Sequence, residues 1–175
     1  MFHKILVAID NSDTYQPVLA KGISLAKLTA ANLMLLNVIS PFNEQYPYPT
    51  YIYPSTIVPA VHVEAVQEYM KQWEKLKQDR NDFLSQLCQQ ARDFSINAEF
   101  TLSFGDPGQM ICEIARNWNA DLIIIGRRGR TGLSELFLGS VSNYVLHHAS
   151  CSILTVQQPI KVDSEEAQQL QTTSV

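Results

Sequence analysis

Paired cysteines, long apolar runs and an excess of positive charge are all missing from this 175-residue chain. Its three cysteines, Cys88, Cys112 and Cys151, lie far apart and include no C-x-x-C pair. That excludes a disulfide framework or a zinc knuckle, and fits buried thiols in a reducing cytoplasm. No apolar run reaches the roughly 18 residues of a membrane-crossing helix. The N-terminal apolar segment is brief, stops at Asp10 and is followed by no small-residue cleavage site. It therefore reads as a first strand rather than a signal sequence. A net charge of −4 and a pI near 5.5 argue against a surface built for nucleic acid or anionic lipid. The four histidines offer no metal-ligand spacing. His147 and His148 are neighbours, about 100° apart on a helix, and read as surface or structural residues.

What is present suits one well-buried domain, since 46% of the residues are hydrophobic. Lys4 to Ile9 is a continuous apolar run of the kind buried on both faces of a parallel sheet. Asp10-Asn11-Ser12-Asp13 supplies turn and capping chemistry, and Pro17 is tolerable in a first helical turn. Helical spacing runs from Val18 to Leu28, and a second strand covers Leu33 to Ile39. Between Ser40 and about Pro59, prolines alternate with Tyr46, Tyr48, Tyr51 and Tyr53, which opposes regular helix. This excursion, residues 40–60, reads as packed or partner-contacting. A long amphipathic helix follows, with Val66, Tyr69, Met70, Trp73, Leu76, Phe83, Leu84, Leu87 and Ala91 as its core stripe. Ala98 to Ser103 makes a third strand, and Gly105-Asp106-Pro107 a turn, an N-cap and a first-turn proline. Alternating strands and helices predict an open, doubly wound parallel sheet.

Chemistry concentrates at Gly126-Arg127-Arg128-Gly129 and, after nine intervening residues, Gly139-Ser140. The motif follows the apolar run Asp121–Ile125, a fourth strand, and leads into the helix Val141–His148. Glycines at a strand end permit close backbone approach to a ligand and cheap positive φ. A helix beginning at Gly139 would aim unpaired N–H groups at the same space, an arrangement suited to phosphates. The spacing is neither a P-loop nor a G-x-G-x-x-G fingerprint. Arg127 and Arg128 each read equally as a phosphate partner or a surface charge. Ser142 reads as a capping or helix-surface serine. Asp10 reads as either a ligand-facing carboxylate or a helix cap. Ser152–Val156 is a fifth strand, and residues 159–175 form a polar tail without periodicity.

These residues resemble the universal stress protein family, specifically its ATP-binding branch. The shared motif, G-x2-G-x9-G-S, stands here as Gly126, Gly129, Gly139 and Ser140. Other shared features are the strand ending at Asp10, Asn37-Val38, Gly105-Asp106-Pro107 and Cys151–Val156. Ala8 departs from the proline found there in some members. The resemblance implies a Rossmann-like fold, akin to the adenine nucleotide alpha hydrolases, with strand order 3-2-1-4-5 and one domain over residues 1–158. It implies Asp10 near a ribose, a main-chain contact from Val38 to adenine, and Gly126 against ribose and phosphates. Gly129, Gly139 and Ser140 would hold the phosphate chain, with Arg127 beside it. The implied cofactor is ATP or another adenine nucleotide, with Mg²⁺ held through the phosphates. The implied assembly is a homodimer paired through the strand around Ile153–Val156, active in nucleotide sensing or signalling. A slow ATPase or nucleotidyl-transfer enzyme, and a nucleotide-free structural dimer, are the alternative readings.

Overall fold

The computed structural model describes residues 1–10, 15–41, 47, 59–127 and 139–157. Most of the Pro/Tyr segment, the polar tail, and Arg128, Gly129, Arg130 and Thr131 lie outside the described residues. Among the described residues, five strands, β1 (Lys4–Ala8), β2 (Asn32–Ile39), β3 (Ala98–Phe104), β4 (Leu122–Gly126) and β5 (Ser152–Val156), alternate with four helices. The helices are α1 (Tyr15–Thr29), α2 (Pro59–Asp93), α3 (Pro107–Trp118) and α4 (Ser140–His148). All strand pairs are parallel and the order across the sheet is β3-β2-β1-β4-β5. This is the topology that the alternating pattern and the family resemblance predict.

Successive side chains of each strand go to opposite faces, so the apolar runs build two cores. Ile5, Val7, Leu33, Leu35 and Ile124 pack with Val18 and Leu19 of α1 and Leu84 and Leu87 of α2. Leu6, Met34, Leu36, Ile123 and Ile125 pack with Ile111 and Ala115 of α3 and Val145 of α4. The chain thus starts mid-sheet, winds outward to β3, then crosses to the other face and restarts at β4. The winding reverses between β1 and β4, and their carboxyl ends border a crevice of the kind where doubly wound sheets bind ligands.

The helix entries follow local chemistry. Pro17 occupies the first turn of α1. Asp106 caps α3, its side chain accepting from the Gln109 N–H at 3.0 Å, with Pro107 next in line. Pro59 departs from its expected place in the helix-opposing segment. It is the first residue of α2, a position where the missing N–H of proline costs no helical bond.

The core stripe expected along α2 holds for only half of the helix. Leu84, Leu87, Cys88 and Ala91 are buried, whereas Val66 is 55% and Met70 62% exposed. The helix is longer than the sheet beneath it is tall. Its first half carries the apolar stripe past the carboxyl ends of the strands, where Trp73 meets Phe104, the last residue of β3, edge-on at 5.6 Å.

Candidate functional site

Three adjacent strands end at one level. Ala8 of β1 pairs with Leu36 of β2 and with Ile125 of β4. Asp10 lies two residues past Ala8, Val38 two past Leu36, and Gly126 one past Ile125. With strands about 4.8 Å apart, one small molecule can reach all three. The Asp10 side chain is exposed there. Helix α1 is described from Tyr15 onward, and residues 11–14, which include the expected turn and capping run, lie outside the described residues.

The sheet geometry also shows what Val38 offers. The Leu36 carbonyl accepts from the Ile9 N–H at 2.8 Å, so Leu36 turns its polar main-chain groups toward β1. Val38, two residues on, turns its own the same way, beyond the end of β1. Its side chain packs toward α3 and α4. The carbonyl that a continuing ladder would present to Val38 is that of Ile9, and the Asn37 amide occupies it. Asn37 Nδ2 donates to that carbonyl at 2.7 Å, and the side chain is buried. Asn37 therefore ties the end of β1 to β2 and is a site-shaping residue that periodicity alone did not single out.

Across the crevice, Gly126 is still a strand residue, paired with Val156. The Arg127 N–H donates to the Val156 carbonyl, and the Arg127 carbonyl accepts from the Gly139 N–H, both at 2.9 Å. Gly139 is the N-cap of α4 and supplies no side chain there. The first helical bond runs from the Asn143 N–H to the Gly139 carbonyl. The N–H groups of Ser140, Val141 and Ser142 thus have no intrahelical acceptor, and the positive end of the helix dipole lies at the same place. The Arg127 side chain reaches past β5, its Nη1 donating to Gln157 Oε1 at 2.6 Å.

Two expectations need correction here. Positive φ is not the reason for glycine at positions 126 and 139: Gly139 has φ −58°, and among the described residues Gly105 is the glycine with positive φ, at 136°. What remains is the absence of a Cβ, which lets main-chain N–H groups be approached closely. Ser142 is not a surface serine either. It is 2% exposed, and its hydroxyl lies 3.1 Å from the Arg127 carbonyl and 3.0 Å from that of Gly139. A helical period cannot reveal this, because the partners of the hydroxyl are main-chain carbonyls at the end of β4 and the start of α4.

The remaining chemistry-bearing residues are quiet. Burial pushes the thiols of Cys88, Cys112 and Cys151 up, keeping them protonated and poorly nucleophilic. His148 stacks on Tyr144 at 4.0 Å with its Nδ1 at 2.8 Å from the Tyr144 carbonyl. Among the described residues no cluster of His, Cys, Asp or Glu could hold a metal ion, and no helix is long and apolar enough to cross a membrane.

A model of the universal stress protein family matches residues 1–157. The chain belongs to that family. Universal stress protein Sll1388 of Synechocystis is 37% identical over 157 residues, spanning 89% of this chain and 98% of the relative. The solved structure of MJ0577 aligns with a TM-score of 0.70 at 24% identity, covering 91% of this chain and 98% of that one. The universal stress protein UspA of Lactobacillus plantarum aligns at 0.64, again with 24% identity, covering 89% and 97%. More distant members of the fold were solved with adenine nucleotides. One universal stress protein is in complex with cAMP (TM-score 0.52, 20% identity, 89% and 97% covered). Another, from Archaeoglobus fulgidus, is in complex with dAMP (0.53, 19%, 88% and 97%).

Proposed function

We propose that this universal stress protein binds an adenine nucleotide, ATP in the first instance, at the carboxyl ends of β1, β2 and β4. The observation that carries the reading is the meeting of Asp10, Val38 and Gly126 at one level beside the amino end of α4. Asp10 accepts hydrogen bonds from ribose hydroxyls. The Val38 main chain pairs with the adenine edge, a recognition that needs no polar side chain. Gly126, Gly129, Gly139 and Ser140 cradle the phosphates against N–H groups and the positive helix end. Arg127 adds a cation that must first yield its hydrogen bond to Gln157. Mg²⁺ is carried by the phosphates rather than by a protein cage. The relatives solved with cAMP and dAMP support the adenine preference, and the intact G-x2-G-x9-G-S spacing supports a longer phosphate chain.

The role that follows is sensing or signalling through a cytoplasmic dimer. Strand β5 is a sheet edge whose Ile153, Leu154 and Val156 are only half buried, the surface that antiparallel pairing with a second copy would cover. Efficient hydrolysis would need a positioned water and stabilisation of the transferred charge. The residues named here supply binding groups for ATP, so slow turnover is the secondary reading. The test is Gly129→Val, which adds a branched side chain where phosphates approach. ATP affinity should fall by at least about tenfold, or 1.4 kcal/mol, with the melting temperature unchanged. Unaltered affinity would mean that the phosphates lie elsewhere.

A further inference from the structure

We infer that Ser142 is a positioning residue, setting the geometry of the phosphate half of the site while leaving the base and ribose half untouched. The inference rests on the nucleotide-binding reading proposed above.

Among the described residues, two polar side chains are buried, Asn37 at 3% and Ser142 at 2% exposure. Both stand at the carboxyl end of the sheet, and both donate to main-chain carbonyls of site segments. Ser142 bridges the two points between which residues 128–138 run. A hydroxyl has one hydrogen, so it is shared between the carbonyls of Arg127 and Gly139.

Neither carbonyl needs that hydrogen for its own sake. The Arg127 carbonyl already accepts from the Gly139 N–H, and the Gly139 carbonyl from the Asn143 N–H, each at 2.9 Å. A methyl group would fill the same volume without burying a polar atom. The contribution of the hydroxyl is therefore geometric. It fixes the exit of β4 against the start of α4, and with it the direction of the N–H groups of Ser140 and Val141. The groups proposed for ribose and base, Asp10 and Val38, lie at the carboxyl ends of β1 and β2, which a separate bond, from Asn37 to Ile9, ties together.

The two halves can be read separately by titrating the full chain with ATP, by calorimetry, and with adenosine, by ligand-observed NMR. Ser142→Ala should weaken ATP by about tenfold, the scale of one hydrogen bond, and leave adenosine within about twofold. Ser142→Thr should restore ATP affinity, because a threonine hydroxyl can donate to the carbonyl three residues back. If Ser142→Ala does not fold, Ser142→Cys leaves no cavity, weakens the donor and carries the same expectation. Equal losses for ATP and adenosine would assign Ser142 a general structural role and overturn the inference. So would unchanged ATP affinity, or failure of threonine to rescue. A wild-type chain that binds neither ligand would instead overturn the nucleotide reading, and the inference with it.

Discussion

Asn37 donates its side-chain amide to the main-chain carbonyl of Ile9 at 2.7 Å, inside the protein and across the carboxyl ends of β2 and β1. Only the amide nitrogen can serve a carbonyl acceptor, so the orientation of the group is decided by its partner. Asp10 follows Ile9 and Val38 follows Asn37, so this one bond sets the separation of two proposed contacts with the nucleotide.

Replacing Asn37 with Asp keeps the shape and removes the donor. At neutral pH it would set a buried carboxylate against a carbonyl, with two acceptors and no hydrogen between them. Asn37→Asp should lose more stability than Asn37→Ala, which is expected to cost about 1–3 kcal/mol. On acidification the new carboxyl group takes up a proton and becomes a donor again, so the gap between the two variants should narrow. Urea midpoints at pH 7 and pH 4 measure this. An Asn37→Asp protein as stable as wild type at pH 7 would contradict the assignment.

The stripe along α2 divides at the edge of the sheet. Leu84, fully buried, should cost about 2–5 kcal/mol on truncation to Ala. Met70, 62% exposed on the projecting half, should cost less than about 0.5 kcal/mol. Equilibrium denaturation of the two single variants is sufficient. Comparable losses would show that the projecting half is packed as tightly as the half over the sheet.

Helix α4 is held at its place by close approach to α3. A Cβ built on Gly108 would lie 2.8 Å from Tyr144 Cδ1 and 3.0 Å from Tyr144 Cβ. Gly108→Ala should therefore destabilise the protein by about 1–3 kcal/mol. The penalty should shrink in a Tyr144→Ala background, where the obstructing ring is gone. A double-mutant cycle reads the difference, and a penalty independent of Tyr144 would point to another cause.

These residues also show which parts of the molecule could be read without coordinates. Strands such as Ile5–Ala8 and Leu122–Ile125 were legible because a strand buried on both faces is apolar throughout. The cap at Asp106 was legible because its chemistry is complete within four residues. The limit of burial along α2 was not, since a period of 3.6 residues carries no information about where the neighbouring sheet ends. The same is true of Ser142 and Asn37. Their meaning comes from carbonyls on other segments, and nothing local distinguishes them from a surface serine or a polar strand end. For Gly139 the residue was legible and the reason was not. Its backbone is ordinary, so what matters there is the missing side chain rather than a special φ.

The central claim is that the crevice between β1 and β4 takes an adenine nucleotide. Calorimetric titration of the full chain with ATP, AMP and cyclic AMP, each with and without Mg²⁺, tests it most directly. The account predicts saturable binding at one site per chain, tightest for ATP with Mg²⁺ and weakened by Asp10→Ala. Absence of saturable binding by all three nucleotides would contradict it.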